Sequence, residues 1–138
     1  MARSYAKLYL SVWDNGGDFL DLTADAQWLY WVLISHPLLT PAGTLPLQPR
    51  KWVRRAKGMT YKRIQSALSE LVDNNKILVD EDTEELLIRT YIRYDRGWRT
   101  PNIRKSIEAS ISRIESDALR DAATHELTHA ETLADRIA

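Results

Sequence analysis

Cysteine is absent from the chain, which removes disulfide frameworks and every Cys-based zinc site from consideration. Its five glycines nowhere assemble a phosphate-cradling loop, and no Ser/His/Asp arrangement has local support, so no enzyme activity is expected and no cofactor. No stretch approaches the ~20 consecutive apolar residues of a membrane span. The opening "MARSYAKLYL" has no apolar signal-peptide core, so a soluble, cytoplasmic protein without a membrane partner is expected. Net charge is missing too: 19 Lys and Arg balance 19 Asp and Glu, which by itself argues against a nucleic-acid ligand.

The balance hides a pattern. Residues 50–63, "RKWVRRAKGMTYKR", carry Arg50, Lys51, Arg54, Arg55, Lys57, Lys62 and Arg63 and no acid. Residues 80–85, "DEDTEE", carry acids and no base; 86–105 are again basic, and 106 onward acidic. Charge segregated in blocks gives a protein faces of opposite sign.

At 138 residues the chain suits one domain with a real core. "YAKLYLSVW" alternates, with Ala6, Leu8, Leu10 and Val12 on one side, and predicts a short strand. Thr23 caps a helix over 23–35 that His36-Pro37 stops. Its main apolar face is Ala26, Leu29, Tyr30, Leu33 and Ile34; Trp28 and Trp31 lie opposite, so both sides should be covered. "TLPL" reads as a short extended piece. Pro49 opens a second helix, 49–57, which ends at Gly58. Thr60 caps a third, 60–74, with Ile64, Ala67, Leu68, Leu71 and Val72 on one face. "KILV" and "LLIRTYIRY" read as a hairpin over 76–94 with an acidic tip. From Ile103 a helical pattern runs almost to Ala138; its early stripe is Ile103, Ile107, Ile111, Ile114 and Ala118, and Leu119, Ala123, Leu127, Ala130 and Ala134 continue it, displaced around the helix.

Two helices joined by a Gly-containing turn and followed by a hairpin make a winged helix-turn-helix. The expected fold is therefore mainly α with a small β-hairpin (α+β): a winged helix-turn-helix over 1–97, then a basic arm and C-terminal helical extension over 98–138. In the third helix, the recognition helix of such a motif, Lys62 and Arg63 stand in the positive N-terminal turn and Glu70 and Asp73 near the negative end. Each unfavourable placement costs about 0.3–1 kcal/mol. Broken local rules mark functional sites, and such a helix reads base edges with its N-terminal residues. Lys62, Arg63, Gln65 and Ser66, with Thr60 and Tyr61 at the helix start, form the candidate base-contacting set. Arg50, Lys51, Arg54, Arg55 and Lys57 would face phosphates, as would Arg96, Arg99, Arg104 and Lys105 in the arm. Trp98 is either a stacking platform for a single strand or a cap on the core.

"FLDLTADAQWLYWVLIS" and "GTLPLQPRKWVRRAKGMTYKRIQSALSELVDNNKILVDEDTEELLIRTYIRYD" resemble winged-helix DNA-binding proteins of actinobacteriophages and prophages. The same layout is similar to the N-terminal domain of phage replisome organisers and replication initiators, and the similarity extends through "RTPNIRKSI" and "RIESDALRDAATHEL". The resemblance implies double-stranded DNA binding in replication or transcription regulation, in a bacterial host cell and on its nucleoid. A further C-terminal replication domain, which such initiators carry, is not part of the pattern here. The acidic hairpin tip departs from wings that reach phosphates with bases. It motivates the alternative, a winged-helix module that binds or inhibits a host protein.

Residues 125–129, "HELTH", spell the H-E-x-x-H of zinc peptidases. A zinc peptidase needs a third ligand well downstream, whereas Glu131 and Asp135 share the helix with the two histidines, so no catalytic or resident metal is expected. Finally, a helix over 103–137 would be about 50 Å long, beyond what a three-helix core covers. The expectation is a homodimer through that helix, unless it breaks near Ser116-Asp117 and folds back on Trp28 and Trp31.

Overall fold

The computed structural model describes residues 3–14, 18–95 and 97–137, with the backbone alone at 94, 95, 97 and 132–137. The described residues form a mainly helical α+β protein with six helices and one three-stranded antiparallel sheet. None of those helices is long and apolar enough to cross a membrane. Contacts divide the chain into two compact units, Met1–Pro37 with Gln48–Asn75, and Leu38–Leu47 with Lys76–Ala138. The hairpin thus groups with the C-terminal helices, where the sequence reading joined it to the helix pair.

The first unit is built on α1 (Ala24–Ile34), α2 (Pro49–Trp52) and α3 (Tyr61–Asp73). Thr23 caps α1 as expected, its hydroxyl accepting from the Ala26 N–H at 3.3 Å. The far end is closed by Arg3, whose guanidinium donates to the carbonyls of Ile34 and His36 at 3.2 and 3.0 Å. α1 packs on α3, with Leu29, Leu33, Ile64 and Leu71 fully buried. The opposite side of α1 is covered as well. Two 3₁₀ turns, Leu10–Trp13 and Asp18–Asp21, bring Trp13 and Phe19 against Trp31, with ring centroids 6.4 and 4.8 Å away. The strand expected at 5–13 is therefore replaced by irregular backbone and a 3₁₀ turn. An alternating pattern makes a strand only where a neighbour completes its hydrogen bonds, and here Leu8 and Leu10 face solvent, Leu10 at 85% exposure. His36 is buried with its ring edge-on to Trp52, and burial, helped by the Arg55 charge, lowers its pKa.

In the second unit, β1 (Thr44–Pro46), β2 (Ile77–Asp80) and β3 (Glu85–Ile88) form a sheet in the order β1-β3-β2. Leu45 pairs with Leu86, which also pairs with Val79. The chain enters β1 through Gly43, at φ +92°, where a Cβ would stand 2.7 Å from the Tyr91 Cβ. Against expectation, the hairpin does not run to residue 94. β3 ends at Ile88, and α4 (Tyr91–Asp95) follows, burying Tyr91 and Ile92. Adjacent buried residues suit a helical turn and not an alternating strand, so "TYIRY" is β-rich in composition only.

The long C-terminal helix is also divided, into α5 (Pro101–Ser112) and α6 (Asp117–Ile137). Ser116, buried, caps α6 by accepting from the Leu119 N–H at 3.2 Å. The break lets Ile107, Ile111 and Ile114 meet Leu119, Ala123 and Leu127 in one core with Leu87 and Ile92. Of the stripe that was expected to seek a twin helix, Ile107, Ile111, Ile114, Leu119, Ala123 and Leu127 are spent within their own unit, Ile103 and Ala118 are exposed, and the Ala134 side chain lies outside the described residues.

Candidate nucleic-acid interface

α2 buries Trp52 and turns Arg50 and Lys51 outward. A 3₁₀ turn, Val53–Arg55, continues it, leaving Arg54, Arg55 and Lys57 exposed as well. Gly58, at φ +81°, makes the reversal into α3. There the Thr60 hydroxyl accepts from the Arg63 N–H at 3.2 Å, so Thr60 serves as a cap. The Arg50 guanidinium lies 4.2 Å over the half-buried Tyr61 ring and ties the two helices together. On α3 the face away from Ile64, Ala67 and Leu71 exposes Lys62, Gln65 and Ser66. These six cations, Arg50, Lys51, Arg54, Arg55, Lys57 and Lys62, have no carboxylate partner among the described residues.

Arg63 is different. Its Nε and Nη2 donate to both oxygens of Asp25 at 2.8 and 2.7 Å, and Nη1 reaches the Gly58 carbonyl at 3.3 Å. The hydrogen bonds from Arg63, with its charge, hold the Asp25 carboxyl below its usual range. Glu70 is likewise engaged: its two oxygens accept from the backbone N–H and the hydroxyl of Thr23, each at 2.7 Å. Two of the four charges that run against the α3 dipole are thus bonded to the first residues of α1. The carboxylates of Asp25 and Glu70 also sit where the α1 dipole favours them. Seen on α3 alone these placements look costly; as tertiary bonds they stabilise the unit, and they no longer point to a ligand.

The arm of the second unit contributes less than its sequence suggests. Arg104 pairs with Glu108 at 3.3 Å and with Glu131, while Arg99 lies over the Trp98 ring at 5.3 Å. Trp98 is packed against the core of this unit. Lys105 is exposed, and Arg96 lies outside the described residues.

The acidic hairpin has a structural reason too. Asp80 Oδ1 accepts from the N–H groups of Asp82 and Thr83 at 3.0 and 3.2 Å, closing the turn upon itself. A hydrogen bond from Ser116, then those turn bonds, lower the Asp80 pKa. Glu85 accepts from the N–H groups of Glu115 and Ser116 at 3.1 and 2.8 Å, placing its charge at the start of α6. Glu81, Asp82 and Glu84 remain exposed.

His125 and His129 of the H-E-x-x-H both face solvent, and no group of three His, Cys, Asp or Glu able to hold a metal occurs among the described residues. Comparisons with protein-family models, with curated proteins and with solved structures found no match.

Proposed function

We propose that the chain binds double-stranded DNA as a winged helix-turn-helix protein, with α3 as its recognition helix. One observation carries the reading: six exposed cations lie on α2, its 3₁₀ continuation, the turn that follows and the first turn of α3, none paired with an acid among the described residues. A charged surface made only for solubility mixes its signs. The element order α1, β1, α2, α3, β2, β3 is the order of a winged helix and supports the same reading.

In this proposal Arg50, Lys51, Arg54, Arg55 and Lys57 bind phosphates and set register. Lys62, Gln65 and Ser66 approach base edges, Gln65 having the amide that pairs with adenine and Lys62 the donor that suits guanine. Arg63 stays with Asp25 and orients the helix. Affinity then comes mainly from released counterions, and about five phosphate contacts make it fall roughly five-hundredfold between 50 and 200 mM salt. The likeness to phage proteins directs this activity to replication or transcription control. The alternative, a module for a host protein, rests on the acidic hairpin, and Asp80 and Glu85 there are already bonded within their own unit.

The test is a low-salt mobility-shift assay with the triple variant Arg54→Glu, Arg55→Glu, Lys62→Glu. Retention of duplex DNA should be abolished in the variant. Binding equal to that of the unaltered chain would overturn the proposal.

A further inference from the structure

α6 presents two faces of different chemistry. Leu119, Ala123, Leu127 and Ala130 are buried, whereas Asp121, Thr124, His125, Thr128 and His129 are exposed. Among the described residues the exposed face has no apolar stripe, so a twin helix has no hydrophobic seam there on which to pack. What it does have is His125 and His129 one turn apart, their rings parallel to within 7° and their centroids 6.4 Å from each other. We infer that this pair is a two-point transition-metal site, completed around Zn²⁺ by the same pair of a second copy of the chain.

Imidazoles at i and i+4 converge on one ion after small rotations of exposed side chains, and imidazole suits zinc, copper and nickel. Among the described residues, the chain's own carboxylates do not finish the site. Glu126, which the peptidase motif would use as its base, is engaged by Arg93, and Glu131 by Arg104. Asp121 is one turn before His125 but about 12 Å along the axis from His129, too far to share an ion held by both histidines. Zinc takes four ligands in a tetrahedron, so two positions stay open on one chain. A two-fold axis through the ion fills them with two further imidazoles, and the hydroxyl-bearing Thr124 and Thr128 are short enough to let the helices approach. Asp121 of each copy lies one turn away and offsets the charge of the ion. The motif is thereby given an assembly role in place of a catalytic one.

The experiment uses the tag-free full chain, stripped with EDTA and followed by light scattering and thermal unfolding. Without metal the mass should be that of a monomer. ZnCl₂ at one equivalent per two chains should double it and raise the unfolding midpoint by several degrees, about the effect of a ligand well above its Kd. His125→Ala and His129→Ala, each favourable to an exposed helix, should abolish both effects while leaving the metal-free midpoint unchanged. An unchanged mass with zinc, a 1:1 complex at monomer mass, a doubling that survives in either variant, or a dimer already formed in EDTA would each overturn the inference. None of these readouts depends on DNA.

Discussion

Arg54 and Arg104 both lie on helical segments in basic stretches of the sequence, but they are used differently. Arg54 belongs to a group of cations that meets no acid among the described residues, whereas Arg104 is held by Glu108 and Glu131. The two units differ in the same sense, by degree. The second ties down Arg93 with Glu126 and Arg120 with Asp117 and the Ile114 carbonyl, while its exposed Arg89, Arg99, Lys105 and Arg113 meet no acid among the described residues. In the first, Arg3 is held on carbonyls and Arg63 on Asp25, while Arg50, Lys51, Arg54, Arg55, Lys57 and Lys62 meet no carboxylate among the described residues. Charge density in a sequence therefore does not measure availability; the number of carboxylates that tertiary structure delivers to it does. That criterion, not basicity, is the reason the first unit is proposed as the DNA-binding surface.

The largest effect should come from reversing charge in both units and comparing the outcomes. Arg93→Glu, Arg104→Glu and Arg120→Glu together replace four ion pairs with like-charge contacts, and should cost roughly 2–4 kcal/mol of stability in urea unfolding. DNA affinity per folded molecule should be nearly retained. The triple reversal at Arg54, Arg55 and Lys62 should do the opposite, losing DNA and keeping the urea midpoint. If both triples lose DNA equally, the contrast between the units fails.

A second, smaller effect isolates the acidic hairpin. Glu85→Ala removes a carboxylate that accepts two backbone N–H groups at the start of α6, which should cost about 1–3 kcal/mol. Glu84→Ala, one residue earlier and exposed, should cost little. Equal effects in a urea titration would mean that the hairpin acts only through its net charge, as a protein-binding surface would.

These contrasts mark how far the sequence could be read. Thr23, Thr60 and the Asn74-Asn75 stop of α3 announce themselves through signals that operate within a few residues, and α1 and α3 came out as expected; the helix expected over 49–57 is α-helical only over Pro49–Trp52 and then tightens to a 3₁₀ turn, Val53–Arg55, before Gly58 reverses the chain. The Ser116-Asp117 break is of the same kind, a cap inside a periodic pattern. What could not be read is long-range. Asp25 and Arg63 are 38 residues apart, Thr23 and Glu70 are 47, and Glu85 and Ser116 are 31. Judged against α3 alone, Arg63 and Glu70 looked misplaced and suggested function. Paired across the fold, Arg63 and Glu70 became scaffold, while Lys62, beside them, remained without an acidic partner among the described residues. The alternation of residues 5–13 failed for a related reason, since a strand exists only if another comes to meet it.

The smallest predicted effect is a pH dependence that distinguishes the two kinds of titrating group. His36 is buried in the first unit beside Trp52, and its pKa is lowered from 6.5 by burial and then by the charge of Arg55. The fold therefore favours neutral His36, whereas the unfolded chain takes up a proton as pH falls through 6.5. Stability should be unaffected by this group above 6.5 and should decline as pH drops below it, levelling off once the folded form is protonated as well. Asp25 and Asp80 have pKa values lowered from 3.8, so the stability they confer is fully present above 3.8 and is lost only as pH falls through their lower folded values. Unfolding midpoints measured from pH 8 to pH 5 should accordingly show a shallow decline. His36→Gln should flatten that decline while leaving the steeper loss at acid pH. If the slope between pH 7 and 5 is the same in the variant, His36 is not its source, and Arg55 is not close enough in effect to be felt inside the first unit.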